Sequence, residues 1–145
     1  MEFLKLVILS PDKKHVDLPV KSVVLETESG IIEIFPGHVP LITTLTYGFV
    51  FYTYQDMTGF LCVFGGVSEI FPESVLVFAD SVEFPAKIDV ERAKKSLDRA
   101  ENRLNNGKND PHNHLIDVMR AESAYKRAKK RIEAHEKFSS KESSK

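Results

Sequence analysis

The ten residues FPAKIDVERA, from Phe84 to Ala93, divide the chain into two regions of different character. Nine of the ten phenylalanines precede Ile88. Asp89 is well placed as the N-cap of a helix, because a short polar side chain there accepts hydrogen bonds from the first turn. We therefore predict two domains, one over residues 1–86 and one over residues 87–138, followed by a disordered tail at 139–145.

The two regions also differ in charge. Residues 1–88 hold five lysines, no arginine and 11 acidic residues, a net charge of −6, whereas residues 89–145 have a net charge of +5. One basic helix face comprises Lys126, Arg127, Lys129, Lys130 and Arg131. This face is either simply solvated or suited to an acidic protein or a nucleotide phosphate. A nucleic-acid partner is not expected, because it would need more basic surface and exposed aromatic rings.

Short runs rich in valine, isoleucine and aromatic residues fill the first region, with turn signals between them. The runs are FLKLVILS (3–10), KSVVLETES (21–29), GIIEIF (30–35), GFVFYTYQ (48–55), GFLCVFGG (59–66) and SVLVFADS (74–81). We expect an antiparallel β-sandwich of two packed sheets. Asp56 to Gly59 reads as a hairpin loop, and Gly65-Gly66 indicates a bulge or a close backbone approach.

The second region has apolar residues at alternating spacings of three and four. The two series are Val90, Ala93, Leu97, Ala100, Leu104 and Val118, Ala121, Tyr125, Ala128, Ile132. Each makes one stripe on a helix, and the Gly and Pro between Asn105 and Asn113 separate two helices. The predicted fold is thus a β-sandwich followed by a two-helix antiparallel hairpin. The stripes are rich in alanine, so the hairpin buries little apolar surface and should be detachable.

No constellation of catalytic residues is evident, so we do not expect an enzyme. The single cysteine, Cys62, reads as a small buried apolar residue, and the pair His112 and His114 as solvated side chains rather than a metal site. No run approaches the ~18 apolar residues of a membrane span, and neither a signal peptide nor a transit peptide is evident.

The stretch FPGHVPL, from Phe35 to Leu41, is rigid for a loop. Pro36 and Gly37 fit the centre of a type II turn, because proline fixes φ and glycine accepts a positive φ. One interpretation is a structural corner between strands with Leu41 in the core. The other is a loop that presents a fixed shape to a partner.

Three motifs in order, PGHVPL (36–41), FGGVSEI (64–70) and IDVERA (88–93), resemble the epsilon subunit of F-type ATP synthases. The resemblance runs from about Phe3 to Glu136. It implies a non-catalytic subunit of the central stalk that joins the gamma subunit to the membrane ring of c subunits. It also implies that the helical tail extends along gamma and inhibits ATP hydrolysis by the alpha and beta subunits, in which case the basic face would contact them.

The resemblance further implies a c-ring contact at Pro36, Gly37, His38 and the preceding strand, including Ile31 and Glu33. This chain departs from the family there, because the family commonly has Gly-Glu-Leu-Gly-Ile where Gly30 to Ile34 reads GIIEI. The acid has moved by two places, which keeps it on the same face of a strand. The resemblance places such a subunit on the cytoplasmic face of the bacterial inner membrane, attached only through the complex.

Some members of that family bind ATP as a regulatory ligand, although none requires a cofactor. The matching residues here are Glu83, Ile88, Asp89, Arg92, Ala93, Arg99, Arg127 and Arg131. The alternative is that Asp89 only caps the helix, and the connection between the helices is longer than in the nucleotide-binding members. A free-standing β-sandwich adaptor with a helical tail remains the alternative function.

Overall fold

The computed structural model describes residues 2–107 and 115–143. It divides into two compact units, Met1–Phe84 and Pro85–Lys145. The division lies two residues before the boundary predicted from the sequence. His112, His114 and most of the connection between the helices lie outside the described residues.

The first unit is a β-sandwich, as predicted, built from one continuous eight-stranded sheet in the described part of the chain. Its strands are β1 (Leu4–Leu9), β2 (Lys14–Val20), β3 (Ser22–Thr27), β4 (Gly30–Ile34), β5 (Leu41–Tyr54), β6 (Met57–Ile70), β7 (Ser74–Ala79) and β8 (Val82–Glu83). The order across the sheet is β2-β1-β7-β6-β5-β3-β4, and β8 also pairs with β6. Neighbouring strands are antiparallel except β1 and β7, which are parallel.

The two 14-residue strands β5 and β6 belong to both layers of the sandwich. They pair along their whole length, from Leu41 opposite Ile70 to Tyr54 opposite Met57. The end of β6 at residues 66–70 pairs with β7, whereas β3 pairs with β5 at residues 45–53. Large aliphatic side chains fill the space between the layers, and Leu6, Leu25 and Leu61 are fully buried there.

A bulge marks the place where β5 changes layers. Leu25 lies opposite Val50, but Thr27 lies opposite Leu45, so β5 has extra residues between these pairs. The Glu26 carboxylate accepts a hydrogen bond from the Phe49 backbone N–H at 2.9 Å. A side chain at position 48 would collide with this carboxylate, which explains the glycine there.

Two details of the sandwich differ from the sequence predictions. The strand β2 was not predicted. Its Pro19 is tolerated because β2 is at the edge of the sheet. The hairpin loop predicted at Asp56–Gly59 has the wrong bounds, because β6 already begins at Met57. The turn contains only Gln55 and Asp56, and Gln55 has a positive φ of 53°.

The prediction of a close approach at Gly65-Gly66 is confirmed. Both glycines have positive φ, and a Cβ atom at Gly66 would collide with the backbone carbonyl oxygen of Phe78 on β7. A residue with a side chain would therefore push β6 and β7 apart at this point.

The described residues of the second unit form a 3-10 turn (Pro85–Lys87) and two helices, α1 (Val90–Gly107) and α2 (Leu115–Ser143). The helices pack against each other, and in their described parts the buried apolar side chains are all alanine: Ala93, Ala100, Ala121, Ala128 and Ala134. The larger members of the predicted stripes are half-buried. Helix α2 continues to Ser143, into the region predicted as a disordered tail, and no glycine or proline ends it earlier.

Candidate functional site

The turn at Pro36 and Gly37 has the predicted type II geometry. The His38 N–H donates to the Phe35 carbonyl at 3.3 Å, and Gly37 has a φ of 90°. The His38 ring nitrogen Nδ1 lies 2.6 Å from the Val39 carbonyl oxygen. Leu41 is 39% exposed, so the interpretation that places this residue in the core is wrong.

A second turn, Phe71 to Ser74, supports the first. The Gly37 N–H donates to the Pro72 carbonyl oxygen at 2.7 Å, and the Lys5 N–H donates to the Glu73 carbonyl oxygen at 3.0 Å. Sequence reasoning treated residues 72–74 only as a turn between strands. The contact with Gly37 was missed because the two turns are 35 residues apart, and no local pattern predicts it.

Large apolar side chains are exposed in two groups. The first lies on the two turns and includes Phe35, Val39 and Phe71. The second lies on the outer face of the sheet, where Ile42, Val67 and Phe78 are exposed and Val67 pairs directly with Phe78. Exposed apolar patches of this kind are typical of protein interfaces. The exposure of Phe78 in the second group could have been predicted, because side chains alternate between the two faces of a strand and Phe78 falls between the buried positions of β7.

The remaining residues predicted to contact a c-ring lie on β4. Ile31 and Glu33 are both exposed and point to the same side of the strand, because they are two residues apart. Since β4 is the last strand of the sheet, its outer edge is not paired with another described strand.

Asp89 caps helix α1, as the structural interpretation of this residue expects. Its carboxylate accepts a hydrogen bond from the Arg92 N–H at 3.1 Å, and its backbone carbonyl accepts one from the Ala93 N–H at 3.0 Å. The Arg92 and Arg99 side chains are exposed. The geometry thus brings Asp89, Arg92 and Ala93 together at the start of α1.

The other residues predicted to bind ATP are spread over several elements. Ile88 is half-buried just before α1, and its N–H donates to the Pro85 carbonyl oxygen at 3.2 Å. Arg99 lies further along α1 and donates to the Ser96 hydroxyl at 3.2 Å. Glu83 is the last residue of β8 in the sandwich unit.

Helix α2 borders a cavity of about 400 Å³ that is open to solvent and lined by Met119, Arg120, Ser123 and Arg127 on one face of the helix. Of these residues only Arg127 was predicted to bind a ligand, and Arg131 does not line the cavity. Sequence reasoning missed Arg120 and Ser123. Ser123 is three residues after Arg120 and four residues before Arg127, so all three lie on one face of the helix. Two guanidinium groups beside a hydroxyl form a suitable surface for an anionic group.

The basic face of α2 is partly neutralised by an acid on the same helix. Lys130 and Lys137 each contact the Glu133 carboxylate, at 3.4 and 3.2 Å. Burial raises the pKa of Glu133, but the hydrogen bonds and charges of Lys137 and Lys130 outweigh it, so the pKa is lowered overall. Lys126 and Lys129 are exposed, and the Lys129 ammonium lies 5.7 Å from the centre of the Tyr125 ring.

Two family models match the chain, one to each unit. Residues 3–85 match the β-sandwich domain of the ATP synthase delta/epsilon chain, and residues 87–136 match its long α-helix domain. The chain belongs to the delta/epsilon chain family of ATP synthases. The match covers both units in order, which agrees with the resemblance seen in the sequence.

Curated members of this family resemble the chain over nearly its whole length. The ATP synthase epsilon chain of Bacillus pumilus is 37% identical over 132 residues, which cover 91% of this chain and 96% of the relative. That of Halalkalibacterium halodurans is 35% identical over 133 residues, covering 92% and 97%. That of Clostridium kluyveri is 37% identical over 134 residues, covering 90% and 96%.

Solved structures share the fold at much lower identity. A chain of the Euglena gracilis mitochondrial ATP synthase has a TM-score of 0.77 at 16% identity, over 90% of this chain and 79% of that chain. A chain of the Tetrahymena thermophila mitochondrial enzyme has a TM-score of 0.63 at 10% identity, over 91% and 96%.

As a member of the delta/epsilon family, the protein is a non-catalytic subunit of the ATP synthase and not an enzyme by itself. The synthase is a membrane-associated complex. Neither helix, as far as residues 2–107 and 115–143 define them, is long and apolar enough to cross a membrane. The same residues hold no group of three or more His, Cys, Asp or Glu side chains suited to a metal ion.

Proposed function

We propose that this epsilon-type subunit joins the gamma subunit to the c-ring through its sandwich and helps transmit rotation during ATP synthesis. The match of both family models along the chain carries this proposal, and it favours a synthase subunit over a free-standing adaptor. The subunit would lie on the cytoplasmic face of a bacterial inner membrane, held there through the complex.

Each exposed apolar group suits a different partner. The turn at Pro36–His38, with Ile31 and Glu33 on β4, would contact the c-ring, because Pro36 and the hydrogen bonds of the turn leave little to be ordered on docking. The outer face at Ile42, Val67 and Phe78 would bind gamma. A broad apolar sheet face suits a permanent interface, since such interfaces are the more hydrophobic class.

The helical unit would regulate the complex by opening its pair of helices into an extended form. The alanine-rich seam between α1 and α2 buries little apolar area. Separating the two helices from each other therefore costs less free energy than opening the sandwich. The extended basic face, Lys126–Arg131, would then meet acidic segments of the alpha and beta subunits and inhibit ATP hydrolysis. Salt should weaken this contact if it is exposed.

ATP is the second candidate ligand, favoured by the cavity beside α2. Arg127, together with Arg120, would contact the phosphates, and Arg131 lies one turn further along the helix. Thermal melts with millimolar ATP or AMP test this idea, because a ligand that binds only the folded state raises its stability. We expect stabilisation by ATP that is much smaller for AMP and is lost in Arg120→Ala/Arg127→Ala.

The main experiment is a pull-down of gamma and c-rings by the full-length chain, followed by ATPase rates in reconstituted complexes. A chain ending at Ala86 should still bind gamma and support ATP synthesis but give faster ATP hydrolysis. Equal hydrolysis rates would remove the inhibitory role of the helices. Loss of gamma binding would show that the sandwich is not sufficient for assembly.

A further inference from the structure

Helix α1 ends with the pair Asn106-Gly107, and the Asn106 side chain is exposed. We propose that this pair is a site of spontaneous deamidation, in which the side-chain amide of Asn106 is converted into a carboxylate. The reaction needs water as its only co-reactant and takes place in the isolated chain, so it does not depend on assembly with gamma or the c-ring. Its rate reports how often the end of α1 opens.

The backbone nitrogen that follows the asparagine is the nucleophile of this reaction. The Gly107 nitrogen loses its proton and attacks the side-chain carbonyl carbon of Asn106, so that a new C–N bond closes a succinimide ring. The bond from this carbon to the amide nitrogen breaks, and ammonia leaves with a proton. Water then adds to either carbonyl of the ring and opens it to aspartate or isoaspartate. Glycine favours ring closure, because it has no side chain beside the nitrogen and its backbone is the most adaptable.

The part of α1 that carries this pair has few packing contacts. Ala93 and Ala100 are buried, but from Glu101 to Asn106 no side chain is buried, and only Leu104 is half-buried. Helix ends also fray, because their last carbonyl groups have no partner within the helix. The pair therefore lies beyond the last buried side chain of its helix, where local opening costs little free energy.

Local opening is needed because the closed helix protects the pair. In a regular α-helix that ends at Gly107, the Gly107 N–H donates to the carbonyl four residues earlier, which belongs to Arg103. The nitrogen becomes available to Asn106 only when this bond is broken. Isoaspartate then adds a carbon to the main chain, so the last turn cannot close again in its original register. Aspartate places a carboxylate at the negative end of the helix dipole.

Peptide mapping by mass spectrometry of the full-length chain tests the proposal. Samples would be incubated at neutral and at mildly alkaline pH, and a parallel sample in urea would give the rate of the unfolded chain. Asn102 is the matched internal control, because it is exposed on the same helix but is followed by Arg103. The variants are Gly107→Ala, which adds a side chain beside the nucleophile, and Leu104→Ala, which removes the half-buried contact of the last turn.

Asn106 should be converted into a mixture of aspartate and isoaspartate several-fold faster than Asn102. Alkaline pH should speed the conversion, because base removes the proton of the Gly107 nitrogen. Leu104→Ala and urea should each raise the rate, since both increase the open population. Gly107→Ala should slow the reaction several-fold. Its effect in urea isolates the crowding of the nitrogen from the higher helix propensity of alanine.

An intact Asn106 in the native chain, together with ready conversion in urea, would overturn the proposal, because the helix would then protect the pair completely. Equal rates for wild type and Gly107→Ala in urea would also overturn it. Neither result affects the proposed function, which is tested by the binding of gamma and c-rings.

Discussion

The sandwich and the helical unit bury different side chains. Leucines, isoleucines and valines fill the sandwich, and many of them are completely buried, whereas the buried apolar positions in the described parts of α1 and α2 are alanines. Because hydrophobic stabilisation grows with the apolar area removed from water, each buried position contributes more in the sandwich. The chain therefore combines a unit built to keep its shape with one that can be rearranged at lower cost.

The comparison is tested most directly by removing the same side chain from each unit. Leu61→Ala should destabilise the protein by about 2–5 kcal/mol, because Leu61 is fully buried. Leu97→Ala, at a half-buried position of α1, should cost about 1 kcal/mol. Guanidinium unfolding would be followed by tyrosine fluorescence, since three of the four tyrosines lie in the sandwich, and by helical circular dichroism. Similar losses in the two variants would contradict the comparison.

A second effect concerns the backbone of the sandwich. Gly66→Ala should destabilise it by more than Gly30→Ala, although both glycines have similar positive φ values of 125° and 119°. A Cβ atom meets the Phe78 carbonyl at position 66 and no atom within 4 Å at position 30. Gly30→Ala should cost about 1–3 kcal/mol for the backbone conformation alone. Equal shifts in the unfolding midpoint of the two variants would show that β6 and β7 can separate at position 66 without a cost in stability.

The N-cap of α1 should contribute less. Asp89→Ala should cost about 1 kcal/mol, because the Arg92 N–H loses its acceptor, while Asp89→Asn should retain most of the stability. Thermal unfolding without nucleotide, monitored at the helical signal, would separate this role from ATP binding. An unaltered melting temperature in Asp89→Ala would show that the cap does not stabilise the helical unit.

The smallest effect is expected at Glu133. Its pKa is lowered in the folded state, so its contribution is present above the pKa of the unfolded chain and is lost as pH falls through the folded-state pKa. The contribution should be a few tenths of a kcal/mol, because the ion pairs are near the surface. Wild type should therefore lose slightly more helical stability than Glu133→Gln between neutral pH and acid. Parallel pH profiles would show that the pairs are fully screened.

The sequence predicted the fold class well, because both units have strong local patterns. It missed β2, since whether Pro19 is tolerated depends on the position of the strand at a sheet edge. It predicted the turn at Pro36 and Gly37, whose geometry is set by those two residues. It did not predict the neighbouring turn at Phe71, because that contact depends on how distant strands are brought together.

At the candidate ligand site, too, the sequence predicted local features but not features that depend on the folded structure. Asp89 was recognisable as a cap because capping is local, and the structure bears this out. Arg120 was overlooked because a single exposed arginine has no distinguishing pattern until a cavity is seen beside it. Whether Arg127 and Arg131 bind phosphate remains a prediction, as does the contact between His38 and the c-ring.

The parallel pairing of β1 with β7 affects how the chain is made. Lys5 lies opposite Ser74, so β1 has no partner on that side until β7 has been synthesised. At about 5–20 residues per second, translation of the intervening residues takes about 3–14 s. The hairpin of β1 and β2 needs only local residues, whereas the other edge of β1 stays unpaired until β7 emerges from the ribosome.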